Sequence, residues 1–185
     1  MTSHTHSSRV ISELWPQAEA AGAGIWAILD AAIDESIAGA LEKAKLDCCC
    51  LFSGRLISAL KNAAPYLVKL RFGHAFTEYL VSEAWDRHWC VFFQADASME
   101  ELRLHLKQFL RVKDQNGRRL YFRFYDPRVL RVYLPTCTAH ELRIFFGPIR
   151  RFVMEDEEPG ILLEFALLDR ELKERRATLA PENHS

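Results

Sequence analysis

An α/β fold is expected from this sequence: a mixed, largely parallel sheet flanked by helices, with a helical and hairpin C-terminal portion. Three observations carry that expectation. Short apolar runs alternate with amphipathic stretches of about ten residues through the first half, the pattern of strands crossed over by helices. Capping boxes and an Asn-Gly turn punctuate the second half. Of the 185 residues, 49% are apolar and 26% charged, a globular composition in a chain long enough to bury a core without disulfides or metal.

The polar stretch Met1–Arg9 reads as a disordered tail, and Val10–Ala20 as a short helix broken by Ala21-Gly22-Ala23-Gly24. Gly24–Leu29 is a short apolar run ending at Asp30, suited to a strand buried on both faces. Asp34–Lys45 places Ile37, Leu41 and Ala44 at helical spacing. Asp47–Phe52 and Pro65–Leu70 are further strands, with a helix over Arg55–Ala64 between them. His74–Asp86 gives a helix carrying Phe76, Leu80 and Ala84, and His88–Gln94 a fourth strand. In Ser98-Met99-Glu100-Glu101, Ser98 caps a helix and Glu101 reaches back to its free amides. Leu110–Lys113 and Arg118–Tyr125 then flank Asn116-Gly117, a turn that tolerates positive φ. Asp126-Pro127 supplies an N-cap and a first-turn proline for the next helix, and Pro135 stops it. Thr138 and Glu141 make a second capping box, closed by Gly147-Pro148. Ile149–Glu155 and Ile161–Leu168 suggest another hairpin, and Asp169–Leu179 a charged helix. The expected organisation is therefore a tail over 1–9 and an α/β domain over 10–150. A hairpin and charged helix over 151–180 could form a C-terminal lobe, followed by a tail over 181–185.

Composition narrows the function. With 24 basic and 25 acidic residues, the overall charge favours neither nucleic acid nor an anionic membrane. No apolar run approaches the roughly 18 residues of a membrane span, and the N-terminus lacks the features of a secretory signal, so a cytoplasmic location is expected. Cys48, Cys49, Cys50, Cys90 and Cys137 form no C-x-x-C pair and read as small apolar side chains, the first three in a central strand. No metal or cofactor is expected. Gly22-Ala23-Gly24 precedes a strand, whereas a dinucleotide loop follows one. Phosphate-loop, zinc-protease and nucleophile-elbow motifs are absent. His88 and Cys90 would share a strand face, which leaves a small cysteine/histidine-dependent hydrolase or transferase, with His74 as a further candidate, as the enzymatic alternative.

The segment Arg111–Arg131 carries seven basic residues against Asp114 and Asp126, interleaved with aromatics. If Leu120, Phe122 and Phe124 face the core, alternation exposes Arg119, Tyr121, Arg123 and Tyr125 together. A row of Arg and Tyr is the composition of a protein-binding hot spot, and the planar arginine fork suits a bidentate grip on carboxylates. Arg128, one turn into the next helix, joins this candidate partner-binding set. Asp126 and Pro127 are expected to be structural. The same strip could be a single-stranded nucleic-acid platform, or Arg123 and Arg128 could pair internally with Asp126 and the acidic run Glu155–Glu158.

The run Leu120-Tyr121-Phe122-Arg123-Phe124-Tyr125-Asp126-Pro127-Arg128-Val129-Leu130 resembles the signature of the Tap/TEC family of type VI secretion effector adaptor chaperones. Upstream, Ile28–Ala32, Tyr66-Leu67-Val68, Trp85–Trp89 and the Ser98 capping box fit the family's sequence of features. Leu134-Pro135-Thr136 and Phe145–Pro148 fit downstream, so the resemblance covers roughly Ile25 to Ile149. It implies a cytoplasmic, non-enzymatic protein of a Gram-negative bacterium. Its partners would be a toxic effector and the VgrG-type spike onto which that effector is loaded, with no role for nucleic acid or membrane. The Cys48–Cys50 run and the piece after Arg150 have no counterpart in that resemblance.

Overall fold

The computed structural model describes residues 2–16, 23–52, 62–113 and 115–179. Helix α1 covers Thr2–Leu14, strand β1 Gly24–Asp30, α2 Ser36–Ala44, β2 Cys48–Cys50 and β3 Pro65–Lys69. Helix α3 (Ala75–Ala84), β4 (Cys90–Ala95) and α4 (Met99–Lys107) follow. A ribbon of β5 (Arg111–Lys113) and β6 (Arg119–Tyr121) leads to α5 (Pro127–Tyr133), a 3-10 turn over Leu134–Thr136, and α6 (Ala139–Phe146). Strands β7 (Ile149–Glu155), β8 (Ile161–Leu168) and β9 (Glu171–Thr178) complete the described chain. The helix expected over Arg55–Ala64 lies largely outside the described residues, as does the tail over 181–185.

Seven strands form one sheet in the order β2-β3-β1-β4-β7-β8-β9. Every pairing in it is antiparallel, which corrects the largely parallel sheet expected from the sequence. The alternation of strands and helices is real, but the crossovers from β1 to β2 and from β3 to β4 each skip a strand. β1 and β2 run in the same direction with β3 between them, and β3 and β4 do so with β1 between them, a split β-α-β arrangement. Skipping places oppositely directed strands side by side.

Helices cover both faces. On one, Ile37, Leu41, Phe76, Leu80 and Val81, with Val10 and Leu14, pack against Ile25, Ala27, Leu29 and Phe92. On the other, Leu102, Leu106, Leu130, Leu142, Phe145 and Phe146 pack against Trp26, Ile28, Phe93 and Phe152. β1 and β4 are buried on both faces, which explains their uninterrupted apolar runs.

Three further expectations change. The polar start of the chain, expected as a tail, forms the first turns of α1. The charged segment after Leu168, expected as a helix, is β9: Asp169 and Arg170 both take positive φ (51° and 69°), the two-residue turn that reverses a strand. The eight-pair ladder to β8 then overrides the helix propensity of its Glu, Lys and Arg side chains. The Cys48–Cys50 strand lies at the sheet edge with Cys48 exposed, not at the centre.

Candidate functional site

One end of the sheet gathers charge. Asp30 closes β1, Glu155 closes β7, and Trp85–Trp89 bridges α3 to the start of β4 beside them. The segment after β6, Phe122–Asp126, folds over this end. Three carboxylates are buried here: Asp30 (1% exposed), Asp126 (3%) and Glu155 (4%). Buried charge persists only when paired and hydrogen-bonded, and each has its partners. Arg123 donates from Nε to Asp30 Oδ2 at 3.1 Å and also through Nη2. Asp30 Oδ1 accepts the Ala32 amide at 3.0 Å. Asp126 caps α5 by accepting the Arg128 amide at 3.0 Å, and the Arg128 side chain returns to the same carboxylate with Nε at 3.0 Å and Nη2 at 2.7 Å. Glu155 binds His88 Nδ1 and accepts the Asp86 amide. Asp86 and His88 both sit at φ 61°, left-handed positions that this buried anchor holds.

The charges are tuned accordingly. Burial pushes the Asp126 carboxyl upward, yet the Arg128 hydrogen bonds and the Arg128 and Arg123 charges outweigh it and hold it below the ordinary carboxylate value. Burial prevails at Glu155 and raises its carboxyl against the pull of His88. Tyr125 is pushed up to about 12, first by burial and then by Asp30, with Arg123 opposing. The arginines are clamped on one side only: Arg123 and Arg128 keep 43% and 50% of their side chains exposed.

Next to this cluster the ribbon β5–β6 stands clear of the sheet, exposed at every position. Its register pairs Arg111 with Tyr121, Val112 with Leu120 and Lys113 with Arg119. Directly opposed residues share a face and neighbours along the strand alternate. Arg111, Lys113, Arg119 and Tyr121 therefore lie on one face, Val112 and Leu120 on the other. The Arg111 guanidinium lies 5.8 Å from the Tyr121 ring centroid, and Phe52 packs on that ring at 5.7 Å. Gly117, at φ 75°, makes the reversal.

The sequence-derived set is thus divided. Arg119 and Tyr121 share an exposed face of the ribbon, and Arg123 and Arg128 present half-exposed guanidiniums from the adjoining cluster. Tyr125 is 4% exposed and belongs to the core, which corrects its place in an exposed row. The strand stops at Tyr121 and the chain turns at Phe124-Tyr125, so the alternation does not extend that far. Leu120, expected inward, is 48% exposed. The internal pairing with Asp126 is present for Arg128 at 2.7 Å and for Arg123 at 4.0 Å, although Arg123 has Asp30 as its nearest carboxylate. Glu155, the first residue of the acidic run Glu155–Glu158, is a buried anchor. Asp30 and Glu155 each end an apolar strand run, the sequence signal available for them.

The side chains of the enzymatic alternative do not converge. Cys90 is 5% exposed, and burial first, then Glu155, lifts its thiol well above the ordinary value. His74 is spent as the N-cap of α3, accepting the Phe76 amide at 3.1 Å. His88 belongs to the loop before β4 and not to the strand, so the shared strand face with Cys90 is absent. Among the described residues no group of three or more His, Cys, Asp or Glu could hold a metal, and no helix is long and apolar enough to cross a membrane.

A family model described as a domain of unknown function, DUF4123, matches residues 25–143. The chain belongs to this family. The DUF4123 match contains the ribbon, Asp30, His88 and the whole Arg123–Arg128 segment, whereas β7–β9 with Glu155 lie beyond it. Neither a curated protein nor a solved structure matches the chain.

Proposed function

We propose that the protein is an adaptor chaperone that binds a type VI secretion effector in the cytoplasm and promotes its loading onto a VgrG-type spike. DUF4123 is the family with which such adaptors are associated, and the resemblance of Leu120–Leu130 falls within the matched segment. The observation that carries the reading is the ribbon and its neighbours. Arg119 and Tyr121 stand exposed on a two-stranded arm, beside two guanidiniums that buried carboxylates hold in place. Immobilised arginines lose little conformational freedom on meeting a partner carboxylate, and Arg and Tyr are favoured at the energetic centres of interfaces. Among the described residues no nucleophile and base meet at the site, which favours a binding role over catalysis.

The test is a tagged pull-down from the native bacterial cytosol, with wild type beside Arg119→Glu/Tyr121→Ala. Wild type should retain a spike protein or a large toxin. The variant should retain about tenfold less, as expected for losing roughly 1.4 kcal/mol or more of binding, at an unchanged melting temperature. Full retention by the variant removes the ribbon from the interface, and absence of any such partner from wild type removes the adaptor role.

A further inference from the structure

At the opposite end of the sheet from Asp30 and Glu155, the start of β7 and the end of β8 border a groove of about 690 Å3. Phe146, Pro148, Leu167 and Leu168 give it an apolar lining, with Arg143 and Arg150 at its rim. Leu168 is 56% exposed, an aliphatic side chain left in water. The deeper arginine of the groove, Arg151, is spent internally on Gln94 (2.9 Å), Glu164 (2.7 Å) and the Glu13 carbonyl (3.1 Å). The rim arginines are held far more loosely. Arg143 touches the His140 ring at 2.9 Å, and Arg150 meets Asp96 at 3.6 Å across a pair more than half exposed on both sides, a weak and screened contact. Exposed positive charge beside an aliphatic side chain left in water is complementary to one kind of surface, a chain carrying carboxylates between apolar side chains.

We propose that this groove is a second docking site, which takes an extended acidic and apolar segment of a partner protein. The assignment rests on the adaptor function, since loading requires cargo and spike to be held at once. The ribbon lies at the other end: Phe52, which packs on Tyr121, follows β2, and β2 runs in the direction of β1 toward Asp30. Strand β7 alone separates the two ends by about 20 Å, so occupants of ribbon and groove would not compete. Apart from Gln94 and Arg143, the groove is built from residues beyond the DUF4123 match. It would therefore equip this chain for its own partner.

Fluorescence anisotropy with a labelled synthetic peptide of alternating Asp and Leu, at physiological ionic strength, tests the chemistry on the intact protein. The peptide should bind wild type and Arg119→Glu alike. It should bind Arg143→Glu/Arg150→Glu about tenfold more weakly, and Leu168→Asp similarly. A peptide of alternating Lys and Leu should not bind. Equal affinity for wild type and the groove variants, or loss in Arg119→Glu alone, overturns the assignment. A dimer in sedimentation that Arg143→Glu/Arg150→Glu makes monomeric also overturns it, because the occupant is then a second copy of the chain. In the cytosolic pull-down the groove variant should shed one partner and keep another. If wild type captures no partner while the peptide result holds, the adaptor function fails and the groove chemistry stands.

Discussion

Arg123→Ala would leave the Asp30 carboxylate, 1% exposed, with the Ala32 amide as its remaining donor among the contacts described above. Removing one partner of a buried pair costs about 3–5 kcal/mol; the half-exposed arginine places this case near ~3 kcal/mol, since the pair is partly hydrated already. Asp30→Asn should cost less, because the freed guanidinium can turn to water. Urea unfolding of both variants checks the ordering, and an equal loss would mean that the carboxylate is hydrated without its partner. Glu155 and Asp126 respond to pH in opposite senses. The lowered Asp126 carboxyl adds stability above about pH 3.8, lost as pH falls through its folded value. The raised Glu155 carboxyl binds its proton more tightly in the folded chain. Its contribution is complete below about pH 4.5 and is withdrawn as pH rises through the raised value. Glu155→Gln removes that titration and keeps an acceptor for the Asp86 amide. Its melting temperature should exceed that of wild type at neutral pH, by a margin that shrinks as pH falls toward 4.5. A margin independent of pH would show that the Glu155 charge is not what costs stability there.

Helix caps are tested by local substitution. Ser98 and Thr138 each accept the amide of the glutamate three residues on, which reaches back to the cap. Ser98→Ala and Thr138→Ala should each lose about 1 kcal/mol in denaturant unfolding, and the double variant their sum. These caps were legible in the sequence because all their parts lie within one turn. So were the Asn116-Gly117 reversal and the Asp126 N-cap. Strand direction was not legible, because a helix between two strands says that the chain crosses over and not whether it skips a neighbour. The split arrangement is decided by which strands meet, and β1 meets β3 and β4. The Arg123–Asp30 contact spans 93 positions and His88–Glu155 spans 67, so neither could be read from spacing. β9 departs from the expected helix for a related reason. Glu171–Arg176 favours a helix in isolation, and only the edge offered by β8 makes it a strand. Of the candidate partner-binding residues, Arg119 and Tyr121 are exposed on one face as alternation predicts, because the hairpin turn fixes the register up to Tyr121. Beyond it the burial of Phe124 and Tyr125 governs.

The sheet runs without a break from β2 to β9, so the segment after Glu155 closes both hydrophobic layers. Leu162 packs into the layer under α1, α2 and α3, while Leu163 and Phe165 pack into the layer under α4, α5 and α6. Each is at most 2% exposed. Burying a side chain of this size is worth about 1.5–3 kcal/mol, and the net stability of a domain is about 5–15 kcal/mol. Losing three of them, together with the β7–β8 ladder, would therefore consume much or all of it. A chain truncated after Glu155 should fail to unfold cooperatively and should bind a hydrophobic dye such as ANS, although it keeps the whole DUF4123 match and the ribbon. Such a chain would also lose the ion pairs of Glu164 with Arg151 (2.7 Å) and Arg175 (2.9 Å), which tie β8 to β7 and β9. A cooperative melt in the truncated protein, with wild-type partner retention by the ribbon, would instead make β8–β9 a separable lobe. The groove proposed at its base would then be an accessory carried by that lobe.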